Sequence, residues 1–584
     1  MARATFRNGI RALVLAGGGL ASAAFAAACF QAGDGVTPPT KTFYFPVGLA
    51  VSAGGNALYV VNSDFDLQYN GGTLQSYDLR RIRLDVLKAI QNPADPTLPL
   101  VHPPNTNGRC PDLLPDRPTG EVGKRQALGE ICAPPVDSTF YVRDSAIIGA
   151  FATNLLLSRN GTRLFSPIRG DTSLTWADVA YDDPEVAAPE SGSYAPFDIQ
   201  CGARTDNRCA ADHQAGSDPD EFGNTRRITM PGEPFGLAES EDGSSLVVSH
   251  QTETRASLFD TGFRTGQATT TPSLQFVVEG LPGGGNGIVA IPHDPQAFPP
   301  CVPRPDGSPC IAQPPRPAFL LTSRAAAQLT LLRYYADESD GTVSSLRRPF
   351  LQREAVFGIT GNSTGTDSRG VVIDPSPRLR CKARVKPVDA NAKPPRTQAD
   401  VDADLVNCAR RPARIFIANR SPASLLVGEV GQDGLSPDGS FDPDRVVLSS
   451  NVPLTAGPSN VYLAPVVDAE GNYALRVFVV CFDSAAIFVY DPDARRLENL
   501  VRVGQGPYAL AFDPFSFEDV ALGKPAPADP RSPTPELRRF RFGYVASFTK
   551  SFVQVLDLDN SRTDKSTYER VVFTLGVPTP PKGS

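Results

Sequence analysis

The 584-residue chain has few of the residues and motifs on which enzymes commonly rely. It contains only four histidines, the side chains that most often act as bases near neutral pH. It has no phosphate-binding loop. It also has no C-x-x-C pair, which disfavours zinc. The sequence therefore favours a binding protein over an enzyme and indicates no cofactor.

An excess of positive charge is also missing, as are long apolar runs beyond the first residues. The formal net charge is −7, whereas nucleic-acid binding usually leaves a basic footprint, so we expect no nucleic-acid partner. A membrane-spanning helix needs about 20 apolar residues, and no segment after Cys29 supplies them. Proline is abundant, at 56 residues, which favours strands joined by turns over long helices.

The amino-terminal segment reads "MARATFRNGIRALVLAGGGLASAAFAAAC". Three arginines precede a short apolar stretch, and three alanines precede Cys29, a pattern typical of a secretory signal peptide at 1–28. The position of Cys29 resembles the lipobox of bacterial lipoproteins, although Ala26 stands where that family usually has Leu. The resemblance implies lipid, including palmitate, on Cys29. In that family, Asp directly after the Cys often retains the protein at the inner membrane. Phe30 stands there in this chain, so the resemblance implies the outer membrane of the cell envelope. An ordinary cleaved signal with a chance cysteine is the alternative.

Similar stretches recur along the rest of the chain, as in "YFPVGLAVSA", "GEPFGLAESE" and "QGPYALAFDP". Alternating apolar residues and turn signals predict three strands after each such start, with one more strand between copies, such as "RRITM" at 226–230 or "LVRVG" at 500–504. We predict one short helix, at 79–90. The units start near Pro46, Asn154, Pro234, Gly287, Gly370, Pro458 and Pro507.

Seven units of four strands, about 40 residues each, predict an all-β, seven-bladed β-propeller over 44–576. "YVVN" at 59–62 and "FIAN" at 416–419 resemble the motif of YVTN-type propellers, mostly extracellular scaffolds. The P-x-G-L-A pattern is then the innermost strand of each blade, where small residues let backbones approach. Residues 29–43 would be a flexible linker and 577–584 a disordered tail. A two-sheet β-sandwich is the alternative fold.

Eight cysteines fall in the long insertions that interrupt the units. Two in each insertion, in an oxidising compartment, predict four local disulfides. The predicted pairs are Cys110 with Cys132, Cys201 with Cys209, Cys301 with Cys310, and Cys381 with Cys408. Cys481 lies within a predicted strand and is expected to be a buried free thiol.

Polar residues at the ends of strands are the remaining site candidates. The ends of the second strands should form a ring near the mouth of the axial channel, either satisfying local turns or binding a small polar ligand. This predicted ring consists of Asn62, Ile168, His250, Ser323, Asn419, Cys481 and Ser547. At the ends of the first strands, Asp and Ser side chains should bond the next turn, with metal binding as the alternative. These are Ser52, Ser158, Ser240, Asp374 and Asp513.

Strand alternation predicts which face of the propeller carries the insertions. In an up-and-down blade, the loops after the first and third strands share one side. Insertions at 80–140 and 180–225 should follow third strands, and those at 294–316, 375–412 and 514–539 should follow first strands. We expect all five insertions, with every disulfide-bonded loop, on this side.

Two functional hypotheses follow. The favoured one is a lipid-anchored envelope scaffold that binds a protein or glycan on the face with the insertions. The alternative is a lactonase-like hydrolase or small-ligand binder that uses the channel mouth.

Overall fold

The computed structural model describes residues 35–577, with gaps at 93–94, 102–134, 187–188, 190–192, 264–270, 298–315, 336–348, 360–366, 432–433, 436–440, 443, 527–540 and 563–566. Seven antiparallel sheets form the seven blades of a β-propeller, which confirms the predicted fold. The four main strands of each sheet follow chain order, and the first strands of neighbouring blades contact one another, so the first strand of each blade is innermost.

The strands of each blade are given in order from the axis outward. Blade 1 comprises Pro46–Val51, Ala57–Asn62, Gly72–Asp78 and Val142–Ile148. Blade 2 comprises Leu156–Leu157, Arg163–Ile168, Ser173–Asp178 and Gln214–Ala215. Blade 3 comprises Pro234–Glu239, Ser245–His250, Ala256–Asp260 and Ser273–Val278. Blades 4 and 5 comprise Gly285–Ala290, Ala318–Ser323, Gln328–Tyr335 and Phe350–Gly358; Ser368–Asp374, Ala413–Arg420, Ala423–Gly431 and Arg445–Pro453. Blades 6 and 7 comprise Pro458–Val467, Tyr473–Cys481, Ala486–Asp491 and Arg496–Arg502; Pro507–Phe512, Phe542–Ser547, Phe552–Asp557 and Arg570–Leu575.

The hydrophobic core lies between neighbouring blades. In the second strand of blade 1, Leu58 and Val60 pack toward blade 7, whereas Tyr59 and Val61 pack toward blade 2. Successive side chains of a strand point to opposite faces of its sheet, so a strand buried on both faces must be apolar throughout. The run "ALYVV" therefore encodes an interior strand with two packed faces.

Glycine in the first strands permits the blades to approach closely at the axis. A Cβ added to Gly236 in blade 3 would lie 2.1 Å from the carbonyl oxygen of Asn286 in blade 4. One added to Gly287 would lie 2.1 Å from the carbonyl oxygen of Arg369 in blade 5. The predicted reason for the recurring P-x-G-L-A pattern is confirmed, because no side chain fits at these crossings.

The ring closes between blades 7 and 1. The short strand Pro135–Val136, which precedes the last strand of blade 1, pairs in parallel with the outer strand of blade 7 as a fifth strand. The Gly576 amide then donates to the Val136 carbonyl at 2.8 Å, and the Phe45 amide donates to Ser551 Oγ at 3.1 Å. Closure therefore uses an insertion of the first blade rather than a strand shared between the chain ends.

The described parts of the insertions contain four helices. Helix α1, Leu79–Gln91, confirms the predicted helix; Asp78 caps it, and Leu79, Ile82 and Val86 are buried against blades 1 and 7. The other three helices were not predicted, and the insertions and connecting segments also contain short 3₁₀ turns. They are α2, Ser376–Lys382, α3, Gln398–Ala409, and α4, Phe517–Leu522; the 3₁₀ turns are Ser138–Phe140, Ala195–Phe197, Ala211–His213 and Pro295–Ala297. A two-stranded hairpin of Gly434–Leu435 and Phe441–Asp442 extends from blade 5.

The outer strand of blade 2 differs from the prediction. It is only Gln214–Ala215, while 226–230 is not a strand and belongs to the crossover into blade 3. Met230 and Ile228 instead pack between blades 2 and 3, which accounts for their apolar character. The blade 2 insertion therefore lies between Asp178 and Gln214, shorter than the predicted 180–225.

The segment before blade 1 packs against that blade where the structure describes it. The Asn70 amide donates to the Val36 carbonyl at 3.0 Å, and Gln75 Nε2 donates to the Thr42 carbonyl at 3.3 Å. Cys29 and the signal region lie outside the described residues. In the part of the chain that the structure describes, no helix has the length and apolar character needed to cross a bilayer.

Candidate functional site

The predicted ring at the ends of the second strands has the expected register. Six members pair with the first residue of the first strand of their own blade. Ile168 pairs with Ala152, four residues before the first strand of blade 2, so all seven lie at the same end of the propeller. The pairs are Pro46 with Asn62, Ala152 with Ile168, Pro234 with His250, Gly285 with Ser323, Ser368 with Asn419, Pro458 with Cys481, and Pro507 with Ser547. We call this end of the propeller the ring face.

The polar side chains of the ring are buried and hydrogen-bonded within the chain. His250 uses both nitrogens, with Nδ1 2.8 Å from the Gly232 carbonyl oxygen and Nε2 2.8 Å from Ser257 Oγ. Asn62 Oδ1 accepts from the Tyr44 amide at 3.1 Å. The bonds to Gly232 and Tyr44 fasten the segments that enter blades 3 and 1. The hydrogen-bonding groups of these side chains thus have partners within the chain, which was the predicted alternative to ligand binding. Ligand binding by the ring stays a prediction.

Ser323, Asn419 and Ser547 follow the same pattern as His250. Ser323 Oγ donates to the Gly283 carbonyl at 2.7 Å, and Ser547 Oγ donates to the Gln505 carbonyl at 2.6 Å. Asn419 Oδ1 accepts from Ser368 Oγ at 2.9 Å. A buried polar group costs free energy unless it is paired, so these side chains hold the crossovers in place.

Titration of the two most reactive ring members is suppressed. Burial lowers the pKa of His250 from its usual 6.5 to about 4, against hydrogen bonds that would raise it. Burial raises the pKa of the Cys481 thiol to about 12, and the thiol is free and buried as predicted. At neutral pH, His250 is thus uncharged and Cys481 is a protonated thiol, which is a poor nucleophile.

An aromatic cluster occupies one arc of the channel mouth on the ring face and was not predicted. Phe548 follows the ring in blade 7 and lies 4.9 Å from Phe45 and 5.2 Å from Phe65, measured between ring centroids. Phe482 takes the equivalent position in blade 6, 6.1 Å from Phe548. Phe65 remains 48% exposed, so the cluster presents an apolar surface to the solvent at the mouth. The only sequence signal was phenylalanine directly after two second strands.

Arginines occupy the same position in some of the other blades. Arg324 and Arg420 directly follow ring members in blades 4 and 5. Arg420 pairs with Asp483 at 2.6 Å, and Arg324 pairs with Asp367 at 3.5 Å. These charges are neutralised by partners, so this arc is polar without a strong net field.

On the opposite side, which we call the insertion face, contacts join insertions from different blades. Arg380 of α2 binds Asp493 in blade 6 through two bonds of 2.7 and 2.8 Å. Lys382 of α2 pairs with Asp294 of the blade 4 insertion at 2.5 Å. Arg380 Nε also donates to the Ala521 carbonyl in α4, at 2.7 Å. The prediction that these insertions share one face is confirmed for their described parts.

The insertion face continues across the closure of the ring. Arg83 of α1 pairs with the buried Asp513, which follows the first strand of blade 7, at 2.6 Å. In blade 2, Asp182 accepts from Ser52 Oγ at 2.5 Å and from the Asn56 amide at 2.8 Å, both in blade 1. The contacts therefore connect blade 4 through blades 5, 6, 7 and 1 to blade 2.

The polar residues that end the first strands bond the following turns, as predicted. Ser52, Ser158 and Ser240 each accept, through Oγ, from the amide five residues later, at 2.9 to 3.0 Å. Asp374 accepts from the Ser376 amide at 2.8 Å, and Asp513 accepts from the Phe542 amide at 3.0 Å. All five are buried. Within the described residues, no group of three or more His, Cys, Asp or Glu side chains is arranged to hold a metal ion.

Two of the four predicted disulfides lie within the described residues, and both are formed. Cys201 bonds Cys209, and Cys381 bonds Cys408. The other four cysteines, Cys110, Cys132, Cys301 and Cys310, lie outside the described residues.

The Cys201–Cys209 loop corrects the prediction that every disulfide-bonded loop projects from the insertion face. The Cys209 amide donates to the Ile147 carbonyl at 2.9 Å, and Ile147 pairs with Thr73 at the ring-face end of blade 1. Gln200 has already entered the outer-strand position of blade 2, opposite Asp178. The loop is therefore an excursion from the outer strand and lies on the rim.

Comparisons with protein-family models and with curated protein sequences find no match. Among solved structures, hydrazine synthase of Kuenenia stuttgartiensis is 11% identical, over 90% of this chain and 99% of that one, with a TM-score of 0.39. A putative 6-phosphogluconolactonase from Bacteroides uniformis is 11% identical, over 79% and 86%, with a TM-score of 0.38. The periplasmic gluconolactonase of Pseudomonas aeruginosa is 13% identical, over 79% and 86%, with a TM-score of 0.36. These likenesses are too distant to carry an argument about function.

Proposed function

We propose that this protein is a non-enzymatic binding scaffold that engages a protein or glycan through its insertion face. In this proposal, lipid on Cys29 anchors it to the outer membrane of the cell envelope. The observation that supports this most is the joining of insertions from different blades by ion pairs and hydrogen bonds, such as Arg380 with the Ala521 carbonyl and Lys382 with Asp294. Binding sites are commonly built from loops held by a rigid scaffold. Loops that are already ordered lose less conformational freedom when a partner binds.

Site-specific photo-cross-linking in intact cells tests which surface meets the partner. A photoreactive residue at Asp402, exposed on α3, should give a discrete adduct. The matched control is Val447, which is 64% exposed on the outer strand of the same blade and should give none. Equal adducts at both positions, or an adduct at Val447 alone, would contradict the assignment of the working face.

A second candidate is a small-ligand site at the channel mouth, and the aromatic cluster around Phe65 and Phe548 favours it. Aromatic rings supply apolar contact area at a concave, solvent-open site. A lactonase-like hydrolase would be its catalytic form and would require a metal ion with carboxylate ligands. Carboxylates do lie at this mouth, among them Asp367 and Asp483, which pair with Arg324 and Arg420.

Metal analysis of the purified protein, followed by a lactone-hydrolysis screen, distinguishes this candidate. A bound metal with hydrolysis that falls in Phe65→Ala, and persists in the control Phe222→Ala, would support it. Phe222 is 84% exposed and belongs to the crossover from blade 2 to blade 3, away from the mouth. Absence of both metal and hydrolysis leaves the scaffold function as the one supported.

A further inference from the structure

The blade 5 insertion forms an open cavity of about 790 Å³ on the insertion face. Helices α2 and α3 and the segment that joins them form its walls, and the disulfide between Cys381 and Cys408 is part of the lining. Pockets for small ligands have volumes of roughly 300 to 1,000 Å³, so this cavity has the size of a binding site. Nothing in the sequence pattern alone indicated it.

The charge of the lining is the reverse of the charge of the chain. Five basic side chains line the cavity against one acidic side chain, in a protein whose formal net charge is −7. The basic residues are Arg380, Arg384, Lys386, Arg396 and Arg411, and the acidic residue is Asp404. A concave site lined by charges of one sign concentrates ligands of the opposite sign.

The five cations fall into two groups. Arg380 is held by Asp493, and Arg396 is held by Asp404. By contrast, Arg384, Lys386 and Arg411 are exposed, and their side chains make no hydrogen bond or ion pair with the described residues. The first group is positioned by protein carboxylates, and the second group is available to a ligand.

The local structure fixes the backbone that carries these residues before any ligand binds. The disulfide joins α2 to α3, and the Thr397 capping box with Asp400 sets the start of α3. The Arg378 side chain donates through Nε to the Arg411 carbonyl at 2.6 Å, which holds the far end of the insertion. A cationic site with an ordered backbone loses only side-chain freedom when a ligand binds.

We infer that this cavity binds a ligand group carrying two or more phosphate or carboxylate groups. Arginine presents planar pairs of N–H donors that match the oxygens of phosphate and carboxylate. Two available arginines beside one lysine suit a multiply charged group better than a single carboxylate. This inference names the chemistry of a ligand on the insertion face, and its biological role rests on the proposed scaffold function. The group can belong to a soluble ligand or to an anionic lipid headgroup.

Titration calorimetry with pyrophosphate tests the inference on the full chain. Wild type should bind saturably, and binding should weaken as the salt concentration rises, because salt screens exposed charges. Arg384→Gln with Arg411→Gln removes two charged donors and should weaken binding by about tenfold or more. The matched control is Arg496→Gln with Arg502→Gln, which removes two exposed arginines from the outer strand of blade 6 and should not change the affinity.

A parallel arm identifies the source of the ligand group. The wild-type protein is sedimented with vesicles that contain an anionic phospholipid. Co-sedimentation that is lost in the Arg384→Gln/Arg411→Gln variant assigns the site to a lipid headgroup. Pyrophosphate binding without co-sedimentation assigns it to a soluble ligand. No pyrophosphate binding by wild type, or equal binding by both double variants, would overturn the inference. Asp402 does not line the cavity, so the photo-cross-linking result remains a separate test of the scaffold function.

Discussion

Replacing Asp513 by alanine would remove the acceptor at the junction of blades 7 and 1. Its Oδ1 accepts from Arg83 Nη2 at 2.6 Å and from the Tyr544 hydroxyl at 2.9 Å, and its Oδ2 accepts from the Phe542 amide at 3.0 Å. Arg83 is 9% exposed and Asp513 is 2% exposed, so neither group regains much water when its partner is lost. Removing one partner of a buried ion pair typically costs about 3 to 5 kcal/mol. We expect the free energy of unfolding to fall by about that amount.

Urea denaturation followed by circular dichroism measures this loss, and the same helix provides the control. Lys88 of α1 pairs with Asp85 at 2.8 Å, but its side chain is 42% exposed. The Asp85 side chain is only 6% exposed, but it keeps the Tyr141 hydroxyl as a donor at 2.8 Å when Lys88 is lost, so Lys88→Met should lower the free energy of unfolding by less than Asp513→Ala. A loss in Asp513→Ala no larger than that in Lys88→Met would refute the view that this buried pair fastens the ring. Adding Arg83→Met to Asp513→Ala should recover part of the loss, because it removes the unpaired buried charge.

Three further predictions address the anchor, the ring and the axis. Labelled palmitate should enter wild type and not Cys29→Ser; equal labelling would exclude lipid on Cys29. Because the folded-state pKa of His250 lies near 4, below the usual 6.5, its contribution to stability is present above pH 6.5 and is lost as the pH falls toward 4. One pKa unit corresponds to about 1.4 kcal/mol. The difference in the free energy of unfolding between wild type and His250→Gln should therefore fall by up to about 3 kcal/mol from pH 7 to pH 4. A difference that does not change with pH would contradict this. Gly236→Ala should lower the free energy of unfolding by about 1 to 3 kcal/mol, because the new Cβ meets the backbone of blade 4. Gly283→Ala should have little effect, because its Cβ would have no atom within 4 Å. Equal losses in the two variants would contradict close packing at the axis.

The register of the propeller was predictable because each blade repeats the same local signals. The turn, proline, small residue and Leu-Ala of the first strand recur in phase, so the end of the second strand could be counted from them. His250 and Asn419 therefore lie at the predicted level. Their burial and their partners, such as the Gly232 carbonyl, depend on the path of the chain before each blade, which the repeat does not encode.

The features that the sequence did not predict arise where the repeat is interrupted. The outer strand of blade 2 is two residues long, too short for an alternating pattern, and the apolar Ile228 and Met230 of the crossover resemble a strand because they fill an interblade space. Helix α3 has a capping box, T-x-x-D at 397–400, but few apolar residues, because the disulfide and α2 hold it rather than a core. The aromatic cluster and the basic cavity bring together residues that are distant in the sequence or on separate short helices.

Replacing residues 375–412 by a short turn removes α2, α3 and the basic cavity while leaving the strands of blade 5 in place. Quantitative cross-linking in the native envelope, with unfolding measured on the same variant, then compares partner recovery with that of wild type. We predict that partner recovery is strongly reduced and that unfolding stays cooperative. Unchanged recovery by a cooperatively folded variant would contradict the insertion face as the working surface and would move the binding site to the ring face.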